Sequence, residues 1–233
     1  MLFSLYHSRV NILAIDSSTE ACSAALLCDD GRVFSEFEVA PRQHTRLLPA
    51  MMDAVIGAAG IARQSISHCS FANGPGAFTG IRIAAAQAQG IGIALGIPLI
   101  PISTLAVMAQ AAFDRNHGDQ VLVALDARMA EVYWALYVRD ATGIATLLGE
   151  EKLSALDALD FDDQISYGVG HGWALQALRS RAPAEMLLDV DLLPDAASLL
   201  KLASRALAEG KAVAAGNISI NYLRNQVALK AKS

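Results

Sequence analysis

A chain of 233 residues has room for one large domain or two small ones with a real core. Hydrophobic residues at 54% against 18% charged exclude a disordered chain, and a mean hydropathy of +0.37 implies surplus apolar surface of the kind that meets a partner. Eighteen Lys and Arg against 23 Asp and Glu leave a net charge of −5, which gives no electrostatic footprint for gripping nucleic acid unaided.

In chain order, residues 11–15 read as a buried central strand ending at Asp16-Ser17-Ser18-Thr19. Residues 21–28 and 33–39 continue as strands around the Asp29-Asp30-Gly31 turn, making an antiparallel meander. Leu47, Leu48, Met51, Met52, Val55 and Ile56 recur at helical spacing, so the first helix is predicted over about residues 45–58. Residues 68–72 form a short strand, the loop Asn73-Gly74-Pro75-Gly76 follows, and Thr79 is expected to cap a long small-residue helix reaching Gly96. A strand begins at Pro98, and Ser103 caps a helix through about His117.

Residues 122–126 (LVALD) then match residues 12–16 (ILAID) in kind at every position, 110 residues later, so the fold restarts as an internal duplication. Residues 140–194 are expected to hold loops, short strands and a weak helix at about 173–181. Asp195 caps a last helix ending near Gly210, and the basic tail over 217–233 is expected to be partly ordered. These elements define an α/β protein with a first lobe over residues 1–102, a smaller lobe over 103–194, and a helix and tail over 195–233 that can return to the first lobe.

Several chemistries are disfavoured by spacing. Cys22, Cys28 and Cys69 make an odd set without CxxC, as reduced thiols would. The first ten residues carry no secretory signal, and nowhere do about 18 apolar residues run uninterrupted, so export and membrane spanning are not expected. The histidines, His7, His44, His68, His117 and His171, include no pair three to five apart, which leaves a metallopeptidase without a local clamp. No GxSxG elbow is present. The loop around Gly74 and Gly76 fails both the GxGxxG and the P-loop patterns, so it either cradles phosphate weakly or only shapes the turn.

A strand ending in Asp, a Ser/Thr turn and a hairpin, all duplicated, resembles the actin, sugar-kinase and Hsp70 ATPase superfamily of ribonuclease H-like fold. That resemblance makes Asp16, Ser17, Ser18 and Thr19 a vestigial or weak phosphate and magnesium site; the alternative is that Asp16 and Thr19 merely close the turn through their own side-chain hydrogen bonds. On the two helices, the broad apolar stripe of the first and the row Ala84, Ala88, Gly92, Gly96 on the second, beside Arg82, Ala85, Gln89 and Ile93, are hard to bury together under one sheet. An exposed helix pair for association is one outcome.

Residues 11–23 (NILAIDSSTEACS), 41–45 (PRQHT), 74–83 (GPGAFTGIRI), 103–105, 126–135 (DARMAEVYWA) and 222–225 (YLRN) closely resemble the TsaB, or YeaZ, family. The match runs from residue 11 to about 230 and is weakest over 140–210; the ten residues before Asn11 depart from the family pattern, as an extension or an upstream start codon would. The resemblance implies a bacterial, cytoplasmic, non-catalytic subunit in forming N6-threonylcarbamoyladenosine (t6A) on the tRNA base beside the anticodon. It implies that the paralogue TsaD, with an HxxxH metal motif this chain lacks, performs the transfer, that the ATPase TsaE joins, and that TsaC or a relative supplies threonylcarbamoyl-AMP. The family's dimer surface maps to His44, Leu47, Leu48, Met51, Met52, Val55, Arg82, Ala85, Gln89 and Ile93, where a homodimer competes with TsaD. No resident cofactor or metal is implied; ATP or ADP would bind only within the complex, and tRNA is met indirectly. The rival readings are an ATP-dependent phosphotransferase using Asp16, and, more remotely, a glycoprotease-like peptidase.

Overall fold

The computed structural model describes residues 10–162 and 165–226; the first nine residues, including His7, and tail positions such as Lys230 lie outside them. Strands β1 (Ile12–Asp16), β2 (Ala21–Leu27) and β3 (Val33–Val39) form the antiparallel meander, and helix α1 (His44–Ala59) follows. Strand β4 (His68–Ala72) pairs parallel to β1, helix α2 (Phe78–Leu95) crosses over, and β5 (Leu99–Ile102) pairs parallel to β4. The sheet order is β3-β2-β1-β4-β5.

After helix α3 (Thr104–Asp114) the same plan recurs. Strands β6 (Gln120–Arg128), β7 (Glu131–Arg139) and β8 (Ala145–Ala155) make a second antiparallel meander, and β9 (Tyr167–Val169) joins β6 in parallel. A 3-10 turn, the short helix α4 (Gln176–Arg179), strand β10 (Leu187–Asp189) and helix α5 (Ala196–Ala208) complete it. The second sheet runs β8-β7-β6-β9-β10, position for position the order of the first. Even the turn chemistry repeats: Asp16 Oδ1 accepts the Ser18 N–H at 2.7 Å, and Asp126 Oδ1 accepts the Arg128 N–H at 2.7 Å. Two sheets with one topology and one Asp-capped turn are the product of a duplication, in the two-lobed actin-like architecture.

Alternation within each strand divides the core. Ile12 and Ala14 face a central layer in which α3 and α5 lie between the sheets, packed with Leu105, Met108, Val123 and Leu199. Helix α3 packs on the second sheet while α5 returns to the first, where the Ala196 N–H bonds Ser23 Oγ at 2.9 Å. Leu13 and Ile15 point outward under α1 and α2.

Four expectations change. The Leu/Met stripe of α1 is buried in the chain itself, because α1 lies across β2 and β3 with α2 on its flank and so divides its broad face between sheet and helix. Thr79 does not cap α2; Ala77 stands at that position without a side-chain cap, its N–H held by the Ser18 carbonyl at 2.8 Å. The region after residue 140 contains an 11-residue strand, β8, whose alternation is broken where Gly149 adopts φ 84° beside a register shift opposite residues 134–136. The weak helix near 173–181 is a 3-10 turn, His171–Ala174, followed by one turn of α4. Ser103 and Asp195 do cap α3 and α5, accepting the Leu105 and Ser198 N–H groups at 3.2 and 2.8 Å.

Candidate functional site

A cleft of about 610 Å³ opens between the lobes, its walls including Ser18, Gly76, Asp126, Arg128, His171 and Tyr222. On the first-lobe side the β1–β2 turn presses directly on the start of α2. A Cβ on Gly80 would stand 1.9 Å from the Ser17 carbonyl oxygen, and one on Gly76 2.3 Å from that of Ser18, so both positions need glycine for the helix to seat. Ser17 Oγ donates to the Gly80 carbonyl at 2.9 Å and locks the contact.

Ser18, Thr19 and Gly76 line the cleft, whereas Asp16, Ser17 and Gly74 lie behind it. Thr19 Oγ1 accepts the Ala21 N–H at 3.3 Å, so both side chains expected to close the turn do form such bonds. Asp16 Oδ2 and Ser18 Oγ are both buried and make no hydrogen bond of good geometry. Burial pushes the Asp16 carboxyl up to about 6, against the Ser18 N–H and the nearby Ser18 hydroxyl, both of which favour its charged form. Across the cleft, His171 Nδ1 accepts the Asp126 N–H at 3.1 Å, and burial holds its pKa below the ordinary histidine value, which keeps the ring a neutral acceptor.

Activated nucleophiles do not emerge from the cysteines. Burial drives the Cys22 and Cys69 thiols up to about 12, far from a thiolate at neutral pH. The described histidines sit on separate elements: His44 within α1, His68 beside Ser67, His117 against Tyr167 and Asp189, and His171 in the cleft.

Of the ten residues expected at a partner surface, His44, Leu47, Leu48, Met51, Met52, Val55 and Ala85 are buried in the chain's own core, Arg82 and Gln89 are half-buried, and Ile93 is 69% exposed. Arg82 lies 3.3 Å over the Phe78 ring and donates to its carbonyl at 2.8 Å. The exposed positions of the two helices include several small residues, Ala50, Ala54, Gly57 and Ala58 on α1 and Ala86, Gly90 and Ala94 on α2, beside Asp53 and Ile93. Small side chains permit close helix approach, and no periodic apolar signal marks them in the sequence. Nothing local in the sequence places His171 at the cleft, and the stretch 222–225 that contains Tyr222 gives no sign that its ring lines one.

The duplicated sheets around a cleft define a two-lobed protein of actin-like ATPase fold. A family profile described as "TsaD: tRNA N6-adenosine threonylcarbamoyltransferase" matches residues 37–221. The chain is 40% identical over 228 residues to the tRNA threonylcarbamoyladenosine biosynthesis protein TsaB of Escherichia coli K12, covering 95% of this chain and 97% of that one. The Haemophilus influenzae TsaB is 35% identical over 232 residues, with the same coverage of 95% and 97%. Among solved structures, YeaZ from Pseudomonas aeruginosa superimposes with a TM-score of 0.85 at 40% identity, over 92% of this chain and all (100%) of that one. The chain belongs to the TsaB (YeaZ) family of tRNA threonylcarbamoyladenosine biosynthesis proteins.

Proposed function

We propose that the chain is the non-catalytic subunit of the t6A-forming assembly, docking TsaD and holding it in a competent state, with TsaE joining the complex and tRNA reached only through it. The observation that carries this reading is the state of the ancestral turn: the carboxylate at the head of the phosphate-type loop is buried, bonded into its own turn and set behind the cleft wall. A carboxylate buried and bonded into its own turn gives a hydrated magnesium ion no ligand on the cleft wall, which supports a role without phosphoryl transfer. Support for docking comes from the flank of α1 and α2, where a row of small exposed residues lets another helix pair approach closely. A homodimer through the same flank would compete with TsaD. No resident cofactor is required, ATP or ADP entering only with the complex, and the place of action is the cytoplasm.

Because Met51 and Ala85 are buried, a charge at either would test folding before it tested docking. The exposed Ala54 and Ala86 are the informative positions. The double variant Ala54→Glu/Ala86→Glu is expected to lose copurification with TsaD while keeping the dichroism and melting curve of the parent. Undiminished copurification would remove the α1–α2 flank from the account.

A further inference from the structure

After α5, residues 211–224 cross the molecule, and their contacts pass from the first lobe to the second. Val213 pairs with Leu99, each N–H donating to the other's carbonyl at 2.8 Å, which extends the first sheet past β5. The Ala215 carbonyl accepts Gln89 Nε2 at 3.0 Å, and its methyl sits where a Cβ on Gly92 would come within 2.8 Å, so the segment is seated directly on α2. Farther on, Asn221 touches both lobes at once. Its backbone N–H donates to the Asn73 carbonyl at 2.9 Å in the first lobe, while its Nδ2 donates to Glu151 Oε2 at 2.7 Å on β8 of the second.

Glu151 is itself tied down. Its Oε1 accepts the Tyr137 hydroxyl at 2.7 Å and also the hydroxyl of Ser103, the cap of α3. Arg224 then grips the β6–β7 hairpin, donating to the Ala127 carbonyl at 2.7 Å and to Glu131 at 2.8 Å. That hairpin turns through three successive left-handed residues, Arg128, Met129 and Ala130, at φ 65°, 58° and 58°. None of the three is glycine, so the turn depends on surrounding contacts to persist.

We propose that residues 211–224 are a latch that sets the angle between the lobes and thereby the width of the cleft. Opening the cleft requires breaking the Asn221–Glu151 and Arg224–hairpin contacts together, since one short segment carries both. The hydrogen bonds to Glu151 and from Arg224 involve charged groups, the stronger kind, so their loss has a measurable effect on local opening.

Native-state hydrogen exchange on the full chain tests this. In Asn221→Ala/Arg224→Ala, the hairpin at 127–132 and the loop at 73–78 are expected to exchange about tenfold faster or more, while the central strands β1 and β6 keep the parent's protection. Unchanged exchange in both segments would overturn the latch. A second pair decides the matter even if the alanine variant is globally destabilised. Asn221→Asp sets a carboxylate against Glu151 and should open the same two segments. Adding Glu151→Gln supplies a donor at that position and should restore their protection, whereas failure of this rescue refutes the proposal.

Discussion

Replacing Asp16 by asparagine should remove a pH dependence that this one side chain imposes on the whole fold. Burial raises its pKa from the ordinary 3.8 to about 6, so the native state retains a proton that the unfolded chain releases. The stabilisation is therefore fully present below about pH 4 and is lost as the pH rises through 6. A shift of about two units corresponds to about 3 kcal/mol between the limits, and most of it falls between pH 4 and 8. Asparagine keeps the acceptor for the Ser18 N–H and puts an amide nitrogen where Oδ2 has no partner; that orphaned donor costs about 1–3 kcal/mol, equally at every pH. Urea unfolding of parent and variant from pH 4 to 8 isolates the effect as a difference: the variant should gain about 2–3 kcal/mol on the parent across the range. A difference that stays flat would show that Asp16 ionises freely in the folded protein and that the turn is open to water.

The contact between the first turn and α2 gives a steric test: Gly80→Ala should lower stability by roughly 2–4 kcal/mol in thermal or urea melts, because its new methyl meets the Ser17 carbonyl and neither backbone segment can yield cheaply. A change below about 0.5 kcal/mol would mean that the helix start is not seated as described. The cleft can be interrogated by calorimetry of the isolated chain with Mg-ATP, where no micromolar binding is expected since Asp16 is withdrawn behind the wall; such binding would favour the phosphotransferase reading.

How much of this was readable beforehand follows from how local each signal is. The restart of the fold was legible because residues 12–16 and 122–126 encode the same buried strand and the same Asp-capped turn, and both depend only on neighbours within a few residues. The caps at Ser103 and Asp195 were legible for the same reason. Strand β8 was not, because an edge strand exposed on both faces over residues 146–150 and broken by a glycine keeps neither strict alternation nor an apolar run. Nor was the burial of α1: Met51 and Met52 look like a surplus apolar face until β3 and α2 are placed around them. Asn221, Glu151 and His171 carry no local signature whatever; the crossing of the chain between lobes brings Asn221 to Glu151, and the packing of its turn on β6 brings His171 to the cleft.

If this chain works through a partner, leaving out one protein at a time shows it. Purified TsaD, TsaE, a source of threonylcarbamoyl-AMP and unmodified tRNA are combined with and without this protein, and t6A is quantified in the tRNA. Robust modification is expected only when this chain and TsaD are both present, and none from this chain when TsaD is left out. Full modification in the absence of this chain, or t6A formed by this chain without TsaD, would contradict that expectation.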